Sequence, residues 1–325
     1  MSLPSRLFAR CPGTALLLLV SCAQLAAGAP RVGAQPKYFN LAAPVTIEWP
    51  DQPWEGDQQP HTLSVVELNR DGFRYWGWYG LNHGRGMGLA RSDDLLHWTK
   101  FEGNPLWLNA RWPSVLQGQS PANSNTLYFA VTRDYDTPSS RIALATSRDG
   151  KQLMEVKTLV RAIANQRNQN PNLYWDAPSK RYVLTFYRGN DTDYFDVVMR
   201  SAESPEQLDV AAEAILLHST QTVAAPTLLR VPHAGATHQP LYYLATEIYP
   251  NRYDKSKDGD WQVKVFASPH LTGPYLPVAG NPIQQGDRAC LFQHIFGGRY
   301  YGFQSHLDRA TDRWSMEVLV APLPQ

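Results

Sequence analysis

Short runs dense in aromatic and branched apolar residues recur along this chain, each bounded by turn formers. Phe73–Tyr79, Leu127–Val131, Arg181–Tyr187, Leu241–Ala245 and Arg299–Phe303 form the set. Runs of this length and content predict strands rather than helices. Their tyrosines, Tyr75, Tyr128, Tyr182, Tyr242 and Tyr300, are 53, 54, 60 and 58 residues apart. Five copies at such a spacing predict a radial or solenoid array.

The copies share an interior. The strand before the aromatic one carries a Pro near its start, as in Pro113–Leu116, Pro171–Tyr174 and Pro226–Leu229. Pro is tolerated there because no ladder donor is lost. A third strand ends in a small-residue turn, as in Met87–Ser92, Ile142–Ser147, Val197–Ser201 and Val263–Ser268. A short fourth strand follows. Four antiparallel strands repeated around an axis are propeller blades, so an all-β, five-bladed β-propeller is expected. The fifth copy runs out early, because only the Pro-rich Ala321–Gln325 follows Trp314–Val320. An unclosed propeller would leave an open sheet edge. Val45–Trp49 has strand composition and is expected to close the last blade by pairing with Ser315–Val320.

At the N-terminus, Arg6 and Arg10 precede the apolar run Thr14–Val20, which is too short to span a bilayer. The expected organisation is an export signal over 1–21, a tether over 22–44 and the propeller over 45–325. Leu19-Val20-Ser21-Cys22 resembles a bacterial lipobox, which makes Cys22 the candidate lipidation site. Ala23 follows it instead of an inner-membrane-retaining Asp, so the expected place is the outer membrane, facing the periplasm. Cleavage near Ala27-Gly28-Ala29, giving a periplasmic or secreted protein, is the alternative.

Cys11 leaves with the signal and Cys290 has no intramolecular partner, so no disulfide framework is expected. No Cys/His cluster has zinc-ligand spacing, and neither a nucleotide loop nor a Ser-His-Asp arrangement appears. Neither metal nor cofactor is therefore expected. A net charge of +1 gives no electrostatic case for nucleic acid or for an anionic membrane, and membrane contact is expected only through the lipid. A monomer with a carbohydrate ligand is the expected state. The 10 Trp, 16 Tyr and 11 Phe suit sugar faces as well as sheet packing.

The turn Ser92-Asp93-Asp94-Leu95-Leu96-His97-Trp98 resembles the S-x-D-L-x-x-W turn of five-bladed propeller glycoside hydrolases, families 43 and 32 and their relatives. Ser147-Arg148-Asp149-Gly150 repeats it in part, and Ser268–Tyr275 resembles the S-x-x-L-x-G-P-[FY] turn of the same proteins. In the turn itself, Asp94 can bond backbone amides, Trp98 can pack between blades, and His97 reads as a surface or packing residue.

The resemblance implies a substrate pocket at one mouth of the central channel. It also implies an Asp in blade one, an Asp in blade three and a Glu in blade four. At those places this chain has Gln59, Asn170 and Ala225. An amide cannot serve as a base, and alanine serves as neither base nor acid. Asp57 is then the candidate base and Glu247 the candidate acid, expected to face the channel roughly 5 to 10 Å apart. His61, Trp112, Asp134, Asn170, Arg188, Asp287, Arg288 and His306 are the candidate substrate-binding residues, with Asp191 in the loop after blade three's aromatic strand. Trp54, Tyr187 and Tyr249 could add stacking surfaces. Two functions fit: an exported glycoside hydrolase acting on a polysaccharide or oligosaccharide, and a non-catalytic carbohydrate-binding lipoprotein on the same fold. A protein-interaction propeller is a weaker third.

Overall fold

The computed structural model describes residues 36–135, 137, 140–163, 166–189, 195–231, 241–249 and 260–323. Cys22, the export segment and Asp191 lie outside them. Five antiparallel sheets follow one another along the chain. The inner strands are Pro60–Arg70, Ala110–Gln117, Arg167–Asp176, Thr222–Val231 and Arg288–Phe296. The aromatic strands lie second, at Phe73–Leu81, Leu127–Arg133, Arg181–Gly189, Leu241–Tyr249 and Arg299–Asp308. The third strands are Gly86–Ser92, Arg141–Ser147, Phe195–Ala202, Gln262–Ser268 and Arg313–Pro322. Short outer strands complete the blades, and blade one adds Trp107–Leu108 beside Gly86–Met87. No α-helix occurs among the described residues, so the five-bladed expectation holds.

Closure also follows expectation. Val45 pairs with Val318 and Thr46 with Glu317, and the Ile47 amide donates to the Met316 carbonyl at 2.8 Å. The preceding residues pack on the propeller too. Phe39 stacks on Tyr300 at 4.1 Å, and the Tyr38 hydroxyl donates to Gln293 at 2.6 Å. The segment read as a tether is therefore docked over Lys37–Leu41, where its aromatic pair is buried between blades four and five.

Each pair of neighbouring blades encloses its own apolar cluster. Between blades five and one, Trp98 meets Phe303 edge-on at 6.2 Å, beside Leu63, Ile47 and Phe292. The turn that presents Trp98 is held as its sequence implies. Asp94 Oδ1 accepts from the amides of Leu96 at 2.9 Å and His97 at 2.8 Å, and His97 is exposed. Gly77 faces the indole, and a Cβ there would lie 2.6 Å from Trp98.

A polar side chain at one repeated position ties successive inner strands. Ser64 Oγ accepts from the Val115 amide at 3.0 Å, and Ser114 Oγ from the Leu173 amide at 2.8 Å. Asn172 Oδ1 accepts from the Leu228 amide at 3.0 Å, and Thr227 Oγ1 donates to the Leu291 carbonyl at 2.6 Å. The matching residue of blade five is Phe292, which packs among Leu63 and Val65 of blade one. Hydrogen bonds thus link blades one to five in series, and apolar packing fastens the seam.

The seam holds one buried ion pair that sequence reasoning missed. Lys100 Nζ donates to Glu55 Oε2 at 2.8 Å, with both side chains 1% exposed. Glu55 also accepts from the Tyr79 hydroxyl at 2.8 Å and the Gln52 amide at 2.9 Å. This pair pins the 3₁₀ turn Pro53–Glu55, where the chain crosses from the rim of blade five to the centre of blade one.

Candidate functional site

In blades two to five the inner strand bulges at one place. Two residues there oppose one on the second strand. The first of each two, Trp112, Asn170, Ala225 and Cys290, has φ near +50°. For residues with side chains this left-handed region is disfavoured, and such strain clusters at functional sites. In blade one the irregularity falls at His61. These kinks bring Trp112, Ala225 and Cys290 into one apolar cluster with Ala289, and they set His61 Nδ1 3.3 Å from Cys290 Sγ.

Above that plug lies a pocket of about 520 Å³. Inner-strand starts (His61, Arg111, Trp112, Ala289) and the segments closing the second strands (Asn82, His83, Tyr135, Glu247, Tyr249, Arg309, Asp312) line it. Trp261 and Trp314 complete the wall. This is the mouth the sequence pointed to, although blade three supplies none of these residues.

Glu247, His61 and Cys290 form the floor. Glu247 Oε2 accepts from the Cys290 amide at 3.1 Å and from its thiol at 3.0 Å. Burial pushes the Glu247 carboxyl above the ordinary carboxylate range, against the pull of those bonds and of Arg111. Burial and Glu247 together push the Cys290 thiol well up, so it is a neutral donor and not a nucleophile. Burial, then Arg111 and His83, hold His61 well below the usual imidazole range, which leaves it neutral at pH 7. His61 meets Trp314 edge-on at 4.4 Å. Tyr249 and Trp261 pack 4.9 Å apart on the opposite part of the wall.

The raised Glu247 value makes a pH prediction. An unfolded glutamate releases its proton in the ordinary carboxylate range, while the folded one retains it to higher pH. Between those points the native state binds more protons, so wild-type stability falls as pH rises through that window. Glu247→Gln cannot ionise and should gain on the wild type in thermal denaturation as pH rises above the ordinary carboxylate range. A difference that does not change with pH would contradict the burial argument.

The other sequence candidates divide. His61, Trp112 and Glu247 line the pocket, and so does Tyr249. Asp57 is exposed and does not line it, and its backbone carbonyl accepts from Gln59. Asp57 and Glu247 are therefore not brought together as a pair lining the pocket. Asn170 is buried, and neither side-chain amide atom has a hydrogen-bond partner among the described residues. Arg188 donates twice to Glu213 on the outer strand of its own blade, both at 2.7 Å. Asp134 lies 3.5 Å from Arg141. Asp287 is held by Arg309 and accepts from the Trp261 amide at 3.1 Å. Arg288 and His306 both turn to Glu317, at 2.9 and 3.2 Å.

Trp54 bonds Gln52, and Tyr187 bonds Gln169. Residues that sequence reasoning missed include Arg111, Asn82, His83, Trp261, Arg309 and Trp314. Their signal was position: each stands beside a bulge or a second-to-third-strand connection of the repeat.

No protein-family model matches the chain, and no curated protein matches it. Solved structures do. An exo-1,5-α-L-arabinanase from a bovine ruminal metagenomic library is 18% identical, with TM-score 0.56, over 82% of this chain and 94% of its own. The endo-arabinase of Bacteroides thetaiotaomicron is 11% identical, with TM-score 0.60, over 82% and 95%. The α-L-arabinanase of Cellvibrio cellulosa, solved with arabinohexaose, is 14% identical, with TM-score 0.58, over 81% and 92%. At these identities the likeness shows the fold, that of the family-43 glycoside hydrolases.

Proposed function

We propose that this protein binds a saccharide in the axial pocket and does not cleave it. The observation carrying this reading is the pocket's make-up: aromatic walls, buried polar groups and, among the described residues, a single buried carboxyl at the floor. Trp261 and Trp314, both partly exposed, offer ring surface for sugars, and Asn82 with the arginines offers hydroxyl partners. Hydrolysis needs a second carboxyl within roughly 5 to 10 Å of the first. Among the described residues, the carboxyl lining is Glu247 and Asp312, and Asp312 is exposed. The arabinohexaose held by the Cellvibrio propeller supports an oligosaccharide as the ligand class. The lipobox at Cys22 supports a place beyond the inner membrane, on a lipid anchor.

One observation favours hydrolysis as a second reading: the buried Glu247 carboxyl holds its proton to higher pH, as a general acid must. Affinity and reducing-sugar release, measured together on arabinan, xylan, galactan and pectin, separate the two. Binding without release is expected. Release that Glu247→Gln abolishes would establish the enzyme, and no affinity for any saccharide would sink both readings.

A further inference from the structure

Arg111 stands at the edge of the blade-two bulge and lines the pocket while only 6% exposed. Its guanidinium carbon lies 3.8 Å from the centre of the Trp112 ring and 4.3 Å from that of Tyr135. Trp112 and Tyr135 themselves meet edge-on at 5.0 Å, so the two rings form a fixed seat. Among the described residues no carboxylate comes within ion-pair distance of Arg111, and its buried Nε has no acceptor.

Several other arginines pair with carboxylates: Arg309 with Asp287, Arg288 with Glu317, Arg188 and Arg200 with Glu213. Arg91 also lies over aromatic rings, and its Nε has no partner among the described residues, but it does not line the pocket. Of the two described carboxylates lining the pocket, Glu247 is bonded by Cys290 and feels Arg111 from beyond ion-pair distance, and Asp312 is exposed. A buried charge without an ion partner is costly, and a guanidinium held against two aromatic rings leaves its fork of donors for a planar or tetrahedral anion. Because the rings already fix it, little further ordering is lost when an anion arrives.

We infer that the saccharide bound here is anionic, carrying a uronate carboxylate or a sulfate ester that docks on Arg111. This rests on the saccharide reading of the pocket and narrows it to a substrate class. Aromatic faces alone would take neutral and acidic sugars alike. The seated cation makes the difference.

The test uses the wild-type protein and matched oligosaccharide pairs in calorimetry. One pair is oligogalacturonate against its full methyl ester, and the other is a sulfated galactan oligosaccharide against its desulfated form. In at least one pair the acidic member should bind tenfold or more tightly at low salt. The gap should narrow as ionic strength rises. Whichever pair shows the gap identifies the anion.

Arg111→Met should abolish the preference, and Arg111→Lys should keep part of it, in variants whose melting confirms folding. Equal affinity within both pairs overturns the inference while leaving the saccharide reading intact. A preference that survives in Arg111→Met overturns it too. No affinity for any member, neutral or acidic, overturns the saccharide reading itself.

Discussion

Lys100→Met is expected to lose about 3 to 5 kcal/mol of folding free energy, because it strands the buried Glu55 carboxylate without its cation. Glu55 and Lys100 are each 1% exposed and 2.8 Å apart, and the ammonium lies 5.3 Å from the Trp49 ring and 5.4 Å from that of Tyr79. The cost should come chiefly from the unpaired charge and not from the missing bond. Removing both charges is often close to neutral when the replacements fill the same volume. Glu55→Gln with Lys100→Met should therefore recover most of the loss. Guanidinium unfolding of the wild type, both single variants and the double variant forms the cycle. A Lys100→Met loss below about 1 kcal/mol would mean that the pair is solvated in solution.

The second large effect concerns closure. Phe39 and Ile47 flank the short closing strand and sit in different cores, one between blades four and five and the other between five and one. Truncating a buried Phe costs about 3 to 5 kcal/mol and a buried Ile about 2 to 5. With no shared partners the two should nearly add. The double variant Phe39→Ala with Ile47→Ala should therefore lose roughly 5 kcal/mol or more, comparable with the whole stability of many domains. It should also expose the third strand of blade five as a bare edge, which favours association. Unfolding and light scattering on the full chain read both effects. A monomer whose melting matches the wild type would show that these residues are dispensable to the ring.

The fold could be read from the sequence because its signals are local. Strand length, turn residues and the aromatic period each lie within a few residues, and the blades repeat them. Even closure was legible, since a leftover strand and a shortened blade are two ends of one shortage. The site was not legible in the same way. Arg188 was expected in the pocket, yet the register puts it within reach of Glu213, two strands outward. Asp287 and Arg288 are adjacent in sequence, but Asp287 sits in a left-handed turn just before the strand that Arg288 opens, and the two turn to Arg309 and Glu317. Glu247 was found because it ends a strand at the mouth. Arg111 was missed because its meaning depends on what surrounds it after folding: two rings and, among the described residues, no acid within ion-pair distance. The positions at which the resemblance implied carboxyls hold Gln59, Asn170 and Ala225 here, the last two at kinks of the inner strands.

The last blade draws strands from opposite ends of the propeller's own sequence, and that bears on how the molecule is made. During synthesis Val45–Thr46 leaves the ribosome ahead of every blade, while its partner Arg313–Pro322 is the final strand to appear. Until then each growing product is an open array with an unmatched edge, and the first-made strand has nothing to pair with. Contacts so distant in sequence form late and slowly. A chain cut short by even its last strand cannot shut the ring, so only full-length synthesis yields a product without raw edges for proteases and aggregates to find.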